Sequence, residues 1–77
     1  MDKFIEVYAR MLLKAVQENR KDYSYNEHEV PMIVDRMKAA FQRGSYNKDG
    51  LAIKWTCKEL GIKYTYSAIN QYLKGVA

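Results

Sequence analysis

The stretch LAIKWTCKELGIKYTYSAINQYLKG, Leu51–Gly75, decides how the second half of this chain folds. Apolar residues recur there every three or four positions, once before Gly61 and again after Thr65, which is the spacing of two amphipathic helices. Glycine commonly follows the last turn of a helix, and threonine is favoured just before the first turn. The stretch therefore predicts a third helix that ends at Gly61 and a fourth that starts after Thr65 and ends at Gly75.

The first half of the chain predicts two longer helices. Residues 3–20 form the first, whose apolar side is so broad that it needs neighbours on more than one side. The second starts near Val30, because Pro31 is best tolerated in a first turn, and it stops at Gly44. No segment reads as a strand with a partner. The sequence therefore predicts an all-α fold, a small four-helix single domain over residues 1–77.

Polar side chains predict how the second and third helices begin. A capping box joins a polar side chain to a Glu or Gln three residues later, and each satisfies a backbone N–H of the other. Two capping boxes fit the second helix equally well, and two single caps fit the third. The two capping boxes of the second helix are Asn26 with Glu29 and Ser24 with Glu27. The two single caps of the third helix are Asn47 and Asp49.

The apolar stripes of the four helices predict one shared core. Its predicted members are Phe4, Tyr8, Leu12, Val16, Val30, Ile33, Val34, Met37, Phe41, Ile53, Leu60, Ile69 and Leu73. Tyr23 and Tyr25 are expected to cover the ends of this core, and Val76 to extend the last stripe. A domain of this size buries a modest fraction of its surface, which leaves a homodimer with a shared core open.

The composition points to a soluble cytoplasmic protein. The chain has 77 residues and a single cysteine, Cys57, so no internal disulfide can form and a reducing compartment is the default. Cys57 falls on the predicted buried stripe, where cysteine behaves as a small hydrophobe. The N-terminus lacks the pattern of a signal peptide, and no apolar run approaches the ~18 residues that span a bilayer.

Few residues in the sequence are candidates for a metal site or a catalytic site. Residues 45–50 resemble the front of a calcium loop, but Thr56 stands where a bidentate glutamate is required. The single histidine, His28, has no cysteine pair beside it and makes no zinc site. No nucleophile–base pair or phosphate-binding glycine loop is present. We therefore expect no catalysis, no metal and no cofactor.

The charge is uneven along the chain. Residues 38–77 carry seven Lys or Arg and only two acids, whereas residues 1–37 carry six Lys or Arg and seven acids, for a net charge of +4. A basic half beside a near-neutral half is typical of a surface that faces a polyanion. Mild basicity that serves only solubility is an equally good interpretation.

Residues 53–73 resemble a helix-turn-helix unit of the kind found in small phage and plasmid regulators. In that motif a small residue on the first helix lets the second helix cross closely, and a glycine four positions later permits the left-handed turn. Cys57 and Gly61 stand at this spacing, and Ile69 and Leu73 would anchor the second helix. The family usually has alanine where Cys57 stands, and its turn is about two residues shorter.

The resemblance implies a DNA-binding regulator of a phage or mobile element. A recognition helix contacts bases with its N-terminal half, while basic side chains contact phosphates. The residues expected nearest the bases are Thr65, Ser67, Asn70 and Gln71. The residues expected on phosphates are Lys54, Lys58, Lys63 and Lys74.

A protein partner is the alternative. The chain also resembles, in size and tyrosine content alone, small accessory proteins of phages and mobile elements that inhibit host defence, including CRISPR inhibitors. Such an inhibitor would dock on a protein, and tyrosines in or beside connectors supply rigid amphipathic contact area. Tyr46 and Tyr64 are the residues expected at that interface.

Overall fold

The computed structural model describes residues 2–20, 22, 24 and 26–75, and it is all-α as predicted. Four helices and no strand occur within these ranges. They are α1 Asp2–Asn19, α2 Glu29–Gln42, α3 Leu51–Leu60 and α4 Tyr66–Leu73. None of these helices is both long and apolar enough to cross a membrane. The expectations for Tyr23, Tyr25 and Val76 fall outside the described residues.

The predicted helix stops are confirmed. α3 ends at Gly61, whose φ of +68° lies in the left-handed region that a side chain would disfavour. The backbone N–H of Ile62 then reaches back to the Cys57 carbonyl at 2.9 Å, which closes the helix end. The predicted start of α4 is confirmed as well, because the Thr65 hydroxyl accepts a hydrogen bond from the Ala68 N–H at 3.1 Å.

The predicted caps of α2 and α3 are wrong. The cap position of α2 is His28, and that of α3 is Gly50; neither residue makes a side-chain cap hydrogen bond. The Asn26 carboxamide accepts from the His28 N–H at 3.0 Å, and that of Asn47 accepts from the Asp49 N–H at 3.0 Å. Both asparagines therefore fold a turn ahead of the helix instead of capping its first turn.

α1 packs between two neighbours, as its broad apolar side predicts. It contacts α2 on one side and α3 on the other. The centre of its buried face is offset from the predicted stripe: Ile5 and Ala9 are fully buried, while Leu12 and Val16 are only half-buried. The offset follows from the two contacts, because a helix between two partners is deepest at the residues that lie between both.

The core consists of two clusters. The larger joins all four helices through Phe4, Ile5, Phe41, Ile53, Cys57, Ile69 and Leu73, and the smaller joins α1 to α2 through Ala9, Leu13 and Val30. The remaining predicted members are half-buried around these clusters: Tyr8, Ile33, Val34, Met37 and Leu60. The predicted core also omits several buried residues: Ile5, Val7, Ala9, Leu13, Ala52 and Thr56. Burial raises the pKa of the Cys57 thiol, in keeping with its expected role as a small hydrophobe.

Candidate nucleic-acid interface

α4 has one buried side and one exposed side. Ile69 and Leu73 anchor it in the larger core cluster. Ser67, Gln71 and Lys74 are exposed on the opposite side, and we call these three residues the open face of α4. The prediction that these three side chains lie on an exposed side of the helix is confirmed.

Asn70 departs from the prediction that it shares this open face. It is half-buried, and its side-chain oxygen accepts a hydrogen bond from the Tyr46 hydroxyl at 2.7 Å. Burial raises the pKa of the Tyr46 hydroxyl, which keeps it protonated as the donor. A bidentate contact with adenine needs both the oxygen and the amide group of asparagine. Asn70 is therefore better placed to hold Tyr46 than to identify a base.

The structure therefore predicts that alanine substitutions at Asn70 and at Gln71 change the free energy of unfolding by different amounts. Asn70→Ala should lower the free energy of unfolding by about 0.5–1.5 kcal/mol, because it leaves the partly buried Tyr46 hydroxyl without its acceptor. Gln71→Ala, on the open face, should stay within about 0.5 kcal/mol. Urea denaturation followed by circular dichroism measures both. Tyr46→Phe removes the same hydrogen bond from the other side, and an Asn70→Ala variant as stable as Gln71→Ala would contradict this role.

Tyr46 and Tyr64, the tyrosines expected at a protein interface, both make internal contacts. The Tyr46 ring stacks on Phe41 with centroids 5.0 Å apart. The Tyr64 hydroxyl donates to the Lys48 carbonyl, and the Lys48 ammonium lies 4.3 Å from the centroid of the Tyr64 ring. Both tyrosines are half-buried. Their hydroxyls and part of their rings therefore serve the fold.

These contacts fix the start of α4 against the loop before α3. The Lys48 N–H donates to the Tyr66 hydroxyl at 3.3 Å, beside the contact between Lys48 and Tyr64. Lys48, in the loop before α3, thus contacts one tyrosine on each side of Thr65, the residue that caps α4. The orientation of α4 therefore does not depend on Gly61 alone. The sequence does not predict these contacts of Lys48, and helical spacing wrongly predicts Tyr66 on the core stripe of the fourth helix, since Tyr66 is 47 % exposed.

Most cations of the second half of the chain are not neutralised by neighbours. Within the described part of the second half, residues 38–75, five exposed basic side chains have no ion pair: Arg43, Lys54, Lys58, Lys63 and Lys74. In the described part of the first half, Arg10 pairs with both Glu6 and Glu27, at 3.4 and 3.2 Å, whereas four other cations are exposed without an ion pair: Lys3, Lys14, Arg20 and Arg36. The positive charge of the second half is nevertheless the less compensated of the two, because Asp49 and Glu59 are its only acids.

In the structure, some of the unpaired cations of the second half line different grooves, which their order in the sequence does not predict. Arg43, Lys74 and Asn70 line one groove of about 320 Å³ where the ends of α2 and α4 meet, and Arg43 was not predicted there. Lys58 instead lines a groove of about 490 Å³ formed by residues of α1 and α3. Lys63 precedes the N-terminus of α4, where the helix dipole adds positive potential. Lys63 is therefore the predicted phosphate contact with the strongest local support.

Trp55 is the other feature that sequence reasoning missed. It is half-buried in the groove between α1 and α3, and the Lys14 ammonium lies 5.7 Å from the centroid of its ring. Among the described residues, no three His, Cys, Asp or Glu side chains come together in a way that could hold a metal ion. No protein-family model, curated protein or solved structure matches the chain.

Proposed function

We propose that this protein is a small DNA-binding regulator that reads duplex DNA with α4. The observation that carries the proposal is the open face of α4, with Ser67 and Gln71 exposed between two unpaired lysines, Lys63 and Lys74. The resemblance to regulators of phages and plasmids adds the expectation that it acts for a phage or mobile element. Polar side chains flanked by cations are the combination that base reading and phosphate attraction require.

The size of α4 suits a major groove. An α-helix with its side chains is about 10–12 Å in diameter, which fits the ~12 Å width of the groove, and the eight residues of α4 form about two turns. The tyrosine contacts to Lys48 hold the start of the helix in one orientation. A helix held in this way loses little conformational freedom on binding, which favours affinity.

The site residues divide into three roles. Gln71 and Ser67 contact base edges, and glutamine suits adenine because it offers one donor and one acceptor together. Lys63 contacts a phosphate at the positive end of α4. Asn70 contributes only its side-chain NH₂ group as a donor, since its side-chain oxygen accepts a hydrogen bond from Tyr46. The Thr65 hydroxyl caps the helix and keeps its own hydrogen for a further acceptor.

Single substitutions separate base reading from phosphate contact. Gln71→Ala should weaken binding to a preferred site by about 1–3 kcal/mol and leave random duplexes unaffected, because only base contacts carry sequence information. Lys63→Gln should weaken every duplex alike and reduce the salt dependence by about one phosphate contact. Duplexes selected from a random pool supply the site, and fluorescence anisotropy supplies the affinities.

Lys3→Gln is the matched control for charge, since Lys3 is exposed near the beginning of α1. It should change the affinity less than Lys63→Gln does. Unchanged affinity of Gln71→Ala for the selected site would remove α4 as the reading helix.

A further inference from the structure

The outer side of α2 carries two adjacent apolar residues, Met32 and Ile33, and no described residue packs over them from outside. Met32 is 58 % exposed, the most exposed of the large hydrophobic side chains in the described ranges. It lies beside the half-buried Ile33, and with Leu13 the two line a shallow groove of about 220 Å³ between α1 and α2. A small domain gains from covering such a surface, because its own core buries little area.

Opposite charges stand at the two ends of this groove. Glu29 and Arg36 both line it, seven residues apart on α2. Seven residues are two helical turns, so both side chains share one face of the helix, about 10 Å apart along its axis. Their midpoint falls between Met32 and Ile33. The pattern is thus an acid, an apolar pair and a base, spaced symmetrically about the centre of the apolar pair.

This pattern is complementary to itself. Rotating a second copy by 180° about an axis through the midpoint sets its α2 antiparallel to the first, and residues whose numbers mirror each other about that midpoint then face each other. Met32 meets the second copy's Ile33, and Glu29 meets the second copy's Arg36. A two-fold interface repeats each contact, so both ends of the groove gain an ion pair of opposite charge. An unrelated occupant has no reason to match this arrangement.

We propose that the protein forms a homodimer through this outer side of α2, with Met32 and Ile33 at its centre. Glu29 already makes a contact within its own chain, and a carboxylate accepts several hydrogen bonds, so it can keep that contact and add Arg36 of the second copy. The interface is small, which gives a dimer that dissociates on dilution. It shares no residue with the open face of α4. Disproving the dimer would therefore leave the proposal of DNA binding intact, and the reverse also holds.

Sedimentation velocity over a dilution series from millimolar to low micromolar tests the proposal. The wild-type chain should be dimeric at the concentrated end and monomeric at the dilute end. Met32→Asp should be monomeric throughout, because the interface would bury two carboxylates, each against Ile33 of the other copy. The matched control is Leu51→Asp, which places the same charge on a comparably exposed side chain of α3, 48 % exposed, and should dimerise as the wild type does.

A charge exchange tests the ion pairs. Arg36→Glu and Glu29→Arg should each raise the dimer dissociation constant at least about tenfold, since each brings like charges together. The double variant E29R/R36E should restore dimerisation, which a purely structural effect of either change would not do. Circular dichroism shows that each variant is folded. A wild-type chain that stays monomeric at millimolar concentration, or a double variant that fails to dimerise although folded, overturns the proposal.

Discussion

Phe41→Ala should lower the free energy of unfolding by about 3–5 kcal/mol. Phe41 is 3 % exposed, and its ring meets Phe4, Tyr8 and Tyr46 with centroids 5.6, 5.1 and 5.0 Å apart. It therefore joins α1, α2 and the loop before α3, and its loss leaves a cavity where three segments meet. A chain of 77 residues has a total stability of about 4–12 kcal/mol, so this one change removes a large fraction of it.

Thermal and urea denaturation measure this effect. Leu51→Ala is the control, since Leu51 is 48 % exposed and should change the stability by no more than about 0.5 kcal/mol. A Phe41→Ala variant as stable as Leu51→Ala would contradict the packing around the larger core cluster. Loss of the Tyr46 stacking partner should also loosen the hydrogen bond that Tyr46 makes to Asn70.

The features of the fold that the sequence predicts are the local ones. The ends of α3 and α4 depend on a left-handed glycine and a threonine cap, which act on the residues next to them. The buried face of α1 lies one residue away from the predicted stripe, because it depends on where two other helices pack. The sequence predicts caps at Asn26 and Asn47 because a turn and a helix start use the same side-chain chemistry.

The open face of α4 was predictable from helical periodicity, and its surroundings were not. Ser67, Gln71 and Lys74 follow from the position of Ile69 and Leu73 on the opposite side. The hydrogen bond from Tyr46 to Asn70 joins residues 24 positions apart, and that from Tyr64 to Lys48 spans 16 positions. Periodicity within one helix carries no information about such contacts. They decide which amide of α4 serves the fold and which is left for a partner.

Binding to duplex DNA should depend steeply on salt. Each phosphate that a lysine or arginine neutralises releases counterions, so the affinity falls with a slope of about 0.9 per contact on a logarithmic scale. About four to six contacts, drawn from the five unpaired cations of residues 38–75 and their neighbours, predict a loss of about 100- to 2,000-fold between ~50 and ~200 mM salt. Lys63→Gln should lower the slope by about one contact.

The affinity of the wild-type chain for random duplex DNA at these two salt concentrations is the most direct test of DNA binding. Fluorescence anisotropy of a labelled duplex measures it. We expect clear binding at the lower salt concentration and the loss stated above at the higher one, since the unpaired cations of α3, α4 and their connectors supply the attraction. No binding at the lower concentration would contradict the proposal and favour a protein partner instead.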